Sequence, residues 1–183
     1  MEFRDVVESR RSIRKFTNDT IGDEVLLEAI RLATLAPSAH NRQPWKFKIV
    51  SEEEKNLISD ALLEKTKDIK GHTGVHTAGI IKEASKLIVV FIDNQIYENR
   101  DMDILSIGAA IENLLLALNN MGLGAVWIGN TNIINEEISK NLNISIKSIN
   151  THSYIIQFYF CVCNTYFNID KRFCKNKKDL SRS

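Results

Sequence analysis

Residues 101–121 constrain the fold more than any other stretch of the chain. Leu105, Ile107, Ala109, Ala110, Ile111, Leu114, Leu115 and Leu118 fall within it, and Gly122 ends it. At helical spacing these side chains cover more than one face. Such a helix needs a sheet on one side and a second cover on the other. In a chain of 183 residues that second cover is expected to be another copy of the same chain.

The remaining segments supply the sheet and its flanks. Residues 2–9 read as a short helix. Asp23 is the expected N-cap of a helix running to about Ala36, with Leu26, Ala29, Ile30 and Ala33 as its apolar stripe. Pro37 ends it, since proline disfavours helical geometry in the residue before it. Trp45, Phe47 and Ile49 alternate with Lys46 and Lys48, a half-buried strand. Residues 52–66 predict a polar amphipathic helix, and Gly71, Gly74 and Gly79 make residues 71–84 loop-like. The unbroken apolar run 87–92 suits a strand buried on both faces. Residues 125–128 and 153–162 read as further strands and 134–142 as a short helix. Strands alternate with helices at irregular spacing, which predicts an α+β class rather than a regular doubly wound sheet. One domain is expected over residues 1–163, followed by a polar, basic tail over 164–183 with no clear period.

Charge and cysteine content narrow the function. A formal net charge of +1 argues against a general nucleic-acid binder. No apolar stretch is long enough to span a bilayer, and residues 1–5 carry no apolar signal core, so a cytoplasmic location is expected. Cys161, Cys163 and Cys174 are odd in number and lack a partner set at metal-binding spacing. They read as packed or free thiols, and no metal site is expected.

Against that neutral background, Arg10-Arg11-Ser12-Ile13-Arg14-Lys15 is locally dense in charge. Guanidinium forks and a hydroxyl are suited to phosphate oxygens. A charge run alone is more often a solvated turn. No Walker A motif is present, and Gly122-Leu123-Gly124 precedes a strand instead of following one, so a bound phosphate would have to be held by side chains.

Three segments together resemble the nitroreductase family of FMN-dependent oxidoreductases. They are Arg10-Arg11-Ser12-Ile13-Arg14-Lys15-Phe16, then Ala36-Pro37-Ser38-Ala39-His40-Asn41-Arg42-Gln43-Pro44-Trp45, then residues 108–129 from Gly108-Ala109-Ala110-Ile111-Glu112-Asn113-Leu114 to Trp127-Ile128-Gly129. Their order matches the compact branch of that family over about residues 1–142. The resemblance implies a mainly antiparallel sheet flanked by helices, with the long helix at an extensive homodimer interface. It implies one FMN in each of two clefts between subunits. Arg10, Ser12 and Arg14 would hold the phosphate, with Arg11 beside the isoalloxazine ring. Pro37, Ser38, Ala39 and Asn41 of the other subunit would close over the same flavin. Ile128 and Gly129 would present backbone amides to flavin N5 and O4, and Trp127 would be core with one edge near the ring. The implied activity is ping-pong hydride transfer from NADH or NADPH, through FMN, to a nitroaromatic, quinone or similar small acceptor. No catalytic side chain is required, because the cofactor carries the redox step. Specialised dehalogenating or flavin-fragmenting enzymes and an FMN-binding protein without turnover are the alternatives.

Other polar residues have plainer readings. His40 reads as loop filler, His72 and His76 as loop residues, and Asp103 and Glu112 as cap and interface groups. The C-terminal third departs from the family. Its usual Gly-aromatic-Pro turn is missing after residues 154–163, and Arg172 is the candidate for the late arginine that reaches the phosphate. No residue of 71–84 matches the family's ring contacts.

Overall fold

Leu87, Ile88, Val89 and Val90 have no solvent exposure, because helices cover both faces of the strand that carries them. The computed structural model describes residues 1–17, 19–71, 73–93, 99–129, 132–134, 138, 142 and 157–164. Its helices are α1 (Phe3–Ser9), α2 (Asp23–Ala33), α3 (Glu52–Thr66), α4 (Gly74–Glu83) and α5 (Arg100–Asn120). Its strands are β1 (Trp45–Ile49), β2 (Lys86–Ile92), β3 (Leu123–Ile128) and β4 (Gln157–Asn164).

The four strands pair in the order β1-β2-β4-β3 and every junction is antiparallel. An isolated parallel bridge between Ser12 and Ala125 adds the basic segment beside β3. Strand alternation then sorts the core into two layers. Ile88 and Val90 face a cluster with Leu26 and Ala33 of α2 and Ile107, Ile111, Leu114 and Leu118 of α5. Leu87 and Val89 face Ile58 and Leu62 of α3, Ala78 and Ile81 of α4, and Val126 and Ile128 of β3. The α+β class is therefore the observed one, and residues 87–90 are apolar without a break because neither face of the strand meets water there.

Several boundaries differ from the sequence reading. Gly22, not Asp23, is the N-cap of α2. Asp23 begins the helix and pairs with Lys86 at 2.6 Å. The helix stops at Ala33, and a turn carries the chain to Pro37. Residues 71–84 are mostly helix, not loop. Gly71, with φ +76, makes the turn that glycine accommodates most easily, but Gly74 serves packing: a Cβ there would overlap Thr66 of α3. His76 is accordingly an exposed helix residue, while His72 lies outside the described residues. Of the helix expected over 134–142, Ile138 and Leu142 are buried and joined by an N–H···O bond of 2.8 Å, and its other residues past Ile134 lie outside the described residues.

α3 opens with a reciprocal cap. Ser51 Oγ accepts from Glu54 N at 3.1 Å, and Glu54 Oε2 accepts from Ser51 N at 2.8 Å. Lys48 Nζ donates to Glu54 Oε1 at 2.6 Å. Burial pushes the Glu54 carboxyl up, but the hydrogen bonds and charge of Lys48 and the bonds from Ser51 outweigh it, so it sits below the ordinary glutamate value. A depressed carboxylate stabilises the fold above its unfolded value and loses that contribution as pH falls through the folded one. Glu54→Gln should therefore cost about 0.5–1 kcal/mol at pH 7, with the difference closing below about pH 4. Urea denaturation of both proteins across that range measures it. A difference independent of pH would rule out the charge as its cause.

Candidate active site

The basic segment starts where α1 ends, and three contacts fix its path. Asn119 Nδ2 of α5 donates to Val6 O at 2.9 Å and to Ser9 Oγ at 2.8 Å, occupying groups at the C-terminal end of α1. Ile13 N then donates to Ala125 O at 3.0 Å, which lays the segment along β3. Within it, Arg11, Ser12 and Arg14 are exposed and Arg10 is half-buried. Arg10 Nε lies 4.0 Å from Glu112 Oε1 on α5. Arg11 folds back, its Nη1 donating to Glu8 O at 2.8 Å and Arg10 O at 2.7 Å. Arg14 Nη1 donates to Ser12 O at 3.3 Å. That contact leaves most of the donor fork of Arg14 turned to solvent. Ile128, buried, ends β3, and Gly129, exposed, follows it.

The second segment is a strained loop. His40, Asn41 and Gln43 have φ of 52, 55 and 50, and they are the only non-glycine residues with positive φ among the described residues. Left-handed backbone costs a residue with a Cβ about 1 kcal/mol or more, and such residues cluster where a fixed backbone is used. Asparagine and histidine tolerate it better than most. Ser38 shapes the turn: its carbonyl accepts from Asn41 N at 2.9 Å and its Oγ accepts from Gln43 N at 2.9 Å. Asn41 Oδ1 accepts from Gln43 Nε2 at 3.0 Å. Pro37 and Asn41 are exposed, and Ser38 and Ala39 half-buried.

This loop is tied to the opening turns of α5. Ala39 N donates to Ser106 Oγ at 3.2 Å. Arg42 Nε and Nη2 donate to Asp103 Oδ1 at 3.1 and 2.9 Å, with Asp103 fully buried. Asp103 Oδ2 also accepts from Asn99 N at 3.0 Å, so the expected capping role is present and is joined by an ion pair. Arg42, Ser106 and Asn119 were not anticipated from sequence. The available signal was the charge of Asp103 so close to the apolar run that begins at Ile104.

The two segments sit far apart in one chain. Ser106 and Asn119 are thirteen residues apart on α5, about 20 Å of rise and roughly 140° of rotation. Exposed apolar side chains stand near each of the two segments. Met102 and Leu105 of α5 are 50% and 74% exposed, and Phe3 and Val7 of α1 are 74% and 46% exposed. Trp127, expected in the core, is 43% exposed. It follows Ala125 on the side of β3 that neither core layer covers completely. Arg172 lies outside the described residues.

Comparison with known proteins agrees on one family. The nitroreductase family model matches residues 7–159, a span that contains both segments. A candidate NADH dehydrogenase/NAD(P)H nitroreductase of Archaeoglobus fulgidus is 36% identical over 126 residues, which cover 68% of this chain and 65% of that protein. The chain thus spans just under two thirds of that relative's length. An iodotyrosine deiodinase of Thermotoga neapolitana is 31% identical over 137 residues, 67% of this chain and 70% of that protein. Among solved structures, a candidate nitroreductase of Desulfovibrio desulfuricans in complex with FMN superposes with a TM-score of 0.72 at 25% identity, covering 90% of this chain and 86% of that one.

Proposed function

The chain belongs to the nitroreductase family, and from that premise we propose that it is an FMN-dependent oxidoreductase assembled as a homodimer. The observation that carries this reading is the separation of its two segments to opposite ends and faces of α5. Neither half encloses a ligand alone. A two-fold partner seated on the apolar face of Phe3, Val7, Met102 and Leu105 would bring the basic segment of one chain to the strained loop of the other.

The residues fit the cofactor. The half-buried fork of Arg10, the exposed fork of Arg14 and the Ser12 hydroxyl would form a donor set matched to a phosphate dianion. The partner's Pro37, Ser38, Ala39 and Asn41 would cover the ring, with the Ile128 and Gly129 amides toward its reactive edge. Arg11 would add positive charge near the ring, although in the single chain it caps α1. Bound FMN supplies hydride acceptance and donation. The protein's part is to bind, orient and exclude water, and to place cationic charge where the reduced ring gathers electrons. NADH or NADPH is the proposed donor and a nitroaromatic or quinone the proposed acceptor, each occupying the same pocket in turn.

Among the described residues no helix is long and apolar enough to cross a membrane. A second reading, a dehalogenating enzyme on the same cofactor, is favoured by the similarity to the Thermotoga deiodinase. The test is the visible spectrum of the purified protein, followed by anaerobic NADH and NADPH titration and turnover with nitro, quinone and iodophenol acceptors. Flavin bands that bleach with a nicotinamide support the reading. Protein that takes up no FMN, or FMN that neither nicotinamide reduces, overturns it. Iodide release without nitro or quinone reduction would select the second reading.

A further inference from the structure

The contacts between the strained loop and α5 have a consequence for the cofactor site that no single motif residue carries. The geometry points to Arg42, Asp103 and Ser106 as a two-point latch that holds the loop in its flavin-facing conformation. This inference rests on the FMN reading above. Asp103 and Ser106 are three apart on α5 and so share a face. Ser106 Oγ receives Ala39 N at 3.2 Å and itself donates to Met102 O at 2.7 Å, so its lone pair is aimed at the loop. Asp103 is fully buried, the Arg42 side chain is 12% exposed, and two guanidinium nitrogens meet one carboxylate oxygen. The two tethers bracket His40 and Asn41, the adjacent left-handed pair, and Gln43 follows at once.

Left-handed non-glycine residues revert to ordinary backbone unless the surroundings over-determine them. An interior ion pair anchored on a long helix does so, because Arg42 cannot leave without stranding a buried carboxylate. The latch therefore sets the fraction of molecules whose residues 37–41 are ready to close on a ring, and apparent affinity scales with that fraction. Arg42, Asp103 and Ser106 are positioning residues: they act on the cofactor through Ala39 and Asn41, not by touching it.

The test uses the full-length protein and FMN as the probe. Arg42→Lys keeps the charge but loses the fork, and Ser106→Ala removes only the second tether. In the FMN-free protein, hydrogen exchange at Asn41 and Gln43 should quicken about tenfold in Arg42→Lys, with α3 amides unchanged. The FMN dissociation constant should rise about tenfold, with a shift of the bound-flavin absorption bands, and Ser106→Ala should move the same readouts by a smaller factor. Unchanged exchange at those amides overturns the latch. Faster exchange with unchanged FMN affinity and spectrum overturns its role toward the flavin and leaves a structural tie. In both cases the wild type still binds FMN, which separates these failures from failure of the FMN reading. A wild type that takes up no FMN sinks both.

Discussion

Replacing Arg10 and Arg14 together with alanine is expected to weaken FMN binding by about 3–5 kcal/mol, or roughly a hundredfold to several thousandfold. A hydrogen bond to a charged group contributes about 1.5–3 kcal/mol, and two arginines gripping one anion are coupled, so the pair falls short of a simple sum. The fold should tolerate the change. Arg14 bonds the Ser12 carbonyl at 3.3 Å, and Arg10 meets the exposed Glu112 at 4.0 Å. Exposed contacts of this kind add little stability. Fluorescence titration of FMN into the FMN-free variant is the measurement, with thermal unfolding alongside. The single Arg14→Ala variant should lose about 1.5–3 kcal/mol. Riboflavin, which lacks the phosphate, supplies the decisive control, since its affinity should barely change. Equal losses for FMN and riboflavin would move the arginines away from the phosphate.

Asp103→Ala is expected to lower stability by about 3–5 kcal/mol, the scale of a buried ion pair broken on one side. The loss comes chiefly from the nearly buried Arg42 guanidinium left behind, with the lost acceptor for Asn99 N adding to it. Asp103→Ala combined with Arg42→Met should recover at least half of that loss, because an apolar pair strands no charge. Denaturant unfolding of the two singles and the double gives the coupling energy. Additive effects in the double variant would show that the pair does not act as a unit. The recovered variant should still bind FMN poorly, because stability and loop geometry are restored by different atoms.

Much of the fold was legible because it rests on local patterns. The alternation at Trp45, Phe47 and Ile49, the unbroken run 87–92 and the polar helix over 52–66 each report a period that neighbouring residues fix among themselves. Residues 71–84 misled for a physical reason. Three glycines look like loop punctuation, yet Gly74 is there because Thr66 leaves no room for a Cβ, a fact that belongs to α3 and not to the local sequence. Asp23 misled similarly. It looks like a cap but is held by Lys86, sixty-three residues away.

The sequence by itself determined the secondary structure of most of the described chain, the two-faced burial of β2, and which short segments are candidates for the chemistry. It did so because helix and strand periods, and the donor geometry of arginine, are properties of neighbouring residues. Only the tertiary structure decided where those segments lie. It put the basic segment at one end of α5 through Asn119 and the strained loop at the other through Asp103 and Ser106. It also left Met102 and Leu105 exposed near one end, and Phe3 and Val7 of α1 near the other. Such pairings join residues tens of positions apart, and no local period encodes the distance between them. The basic cluster is a largely exposed segment in a single chain, and the proposed site needs what packs around α5 to complete it.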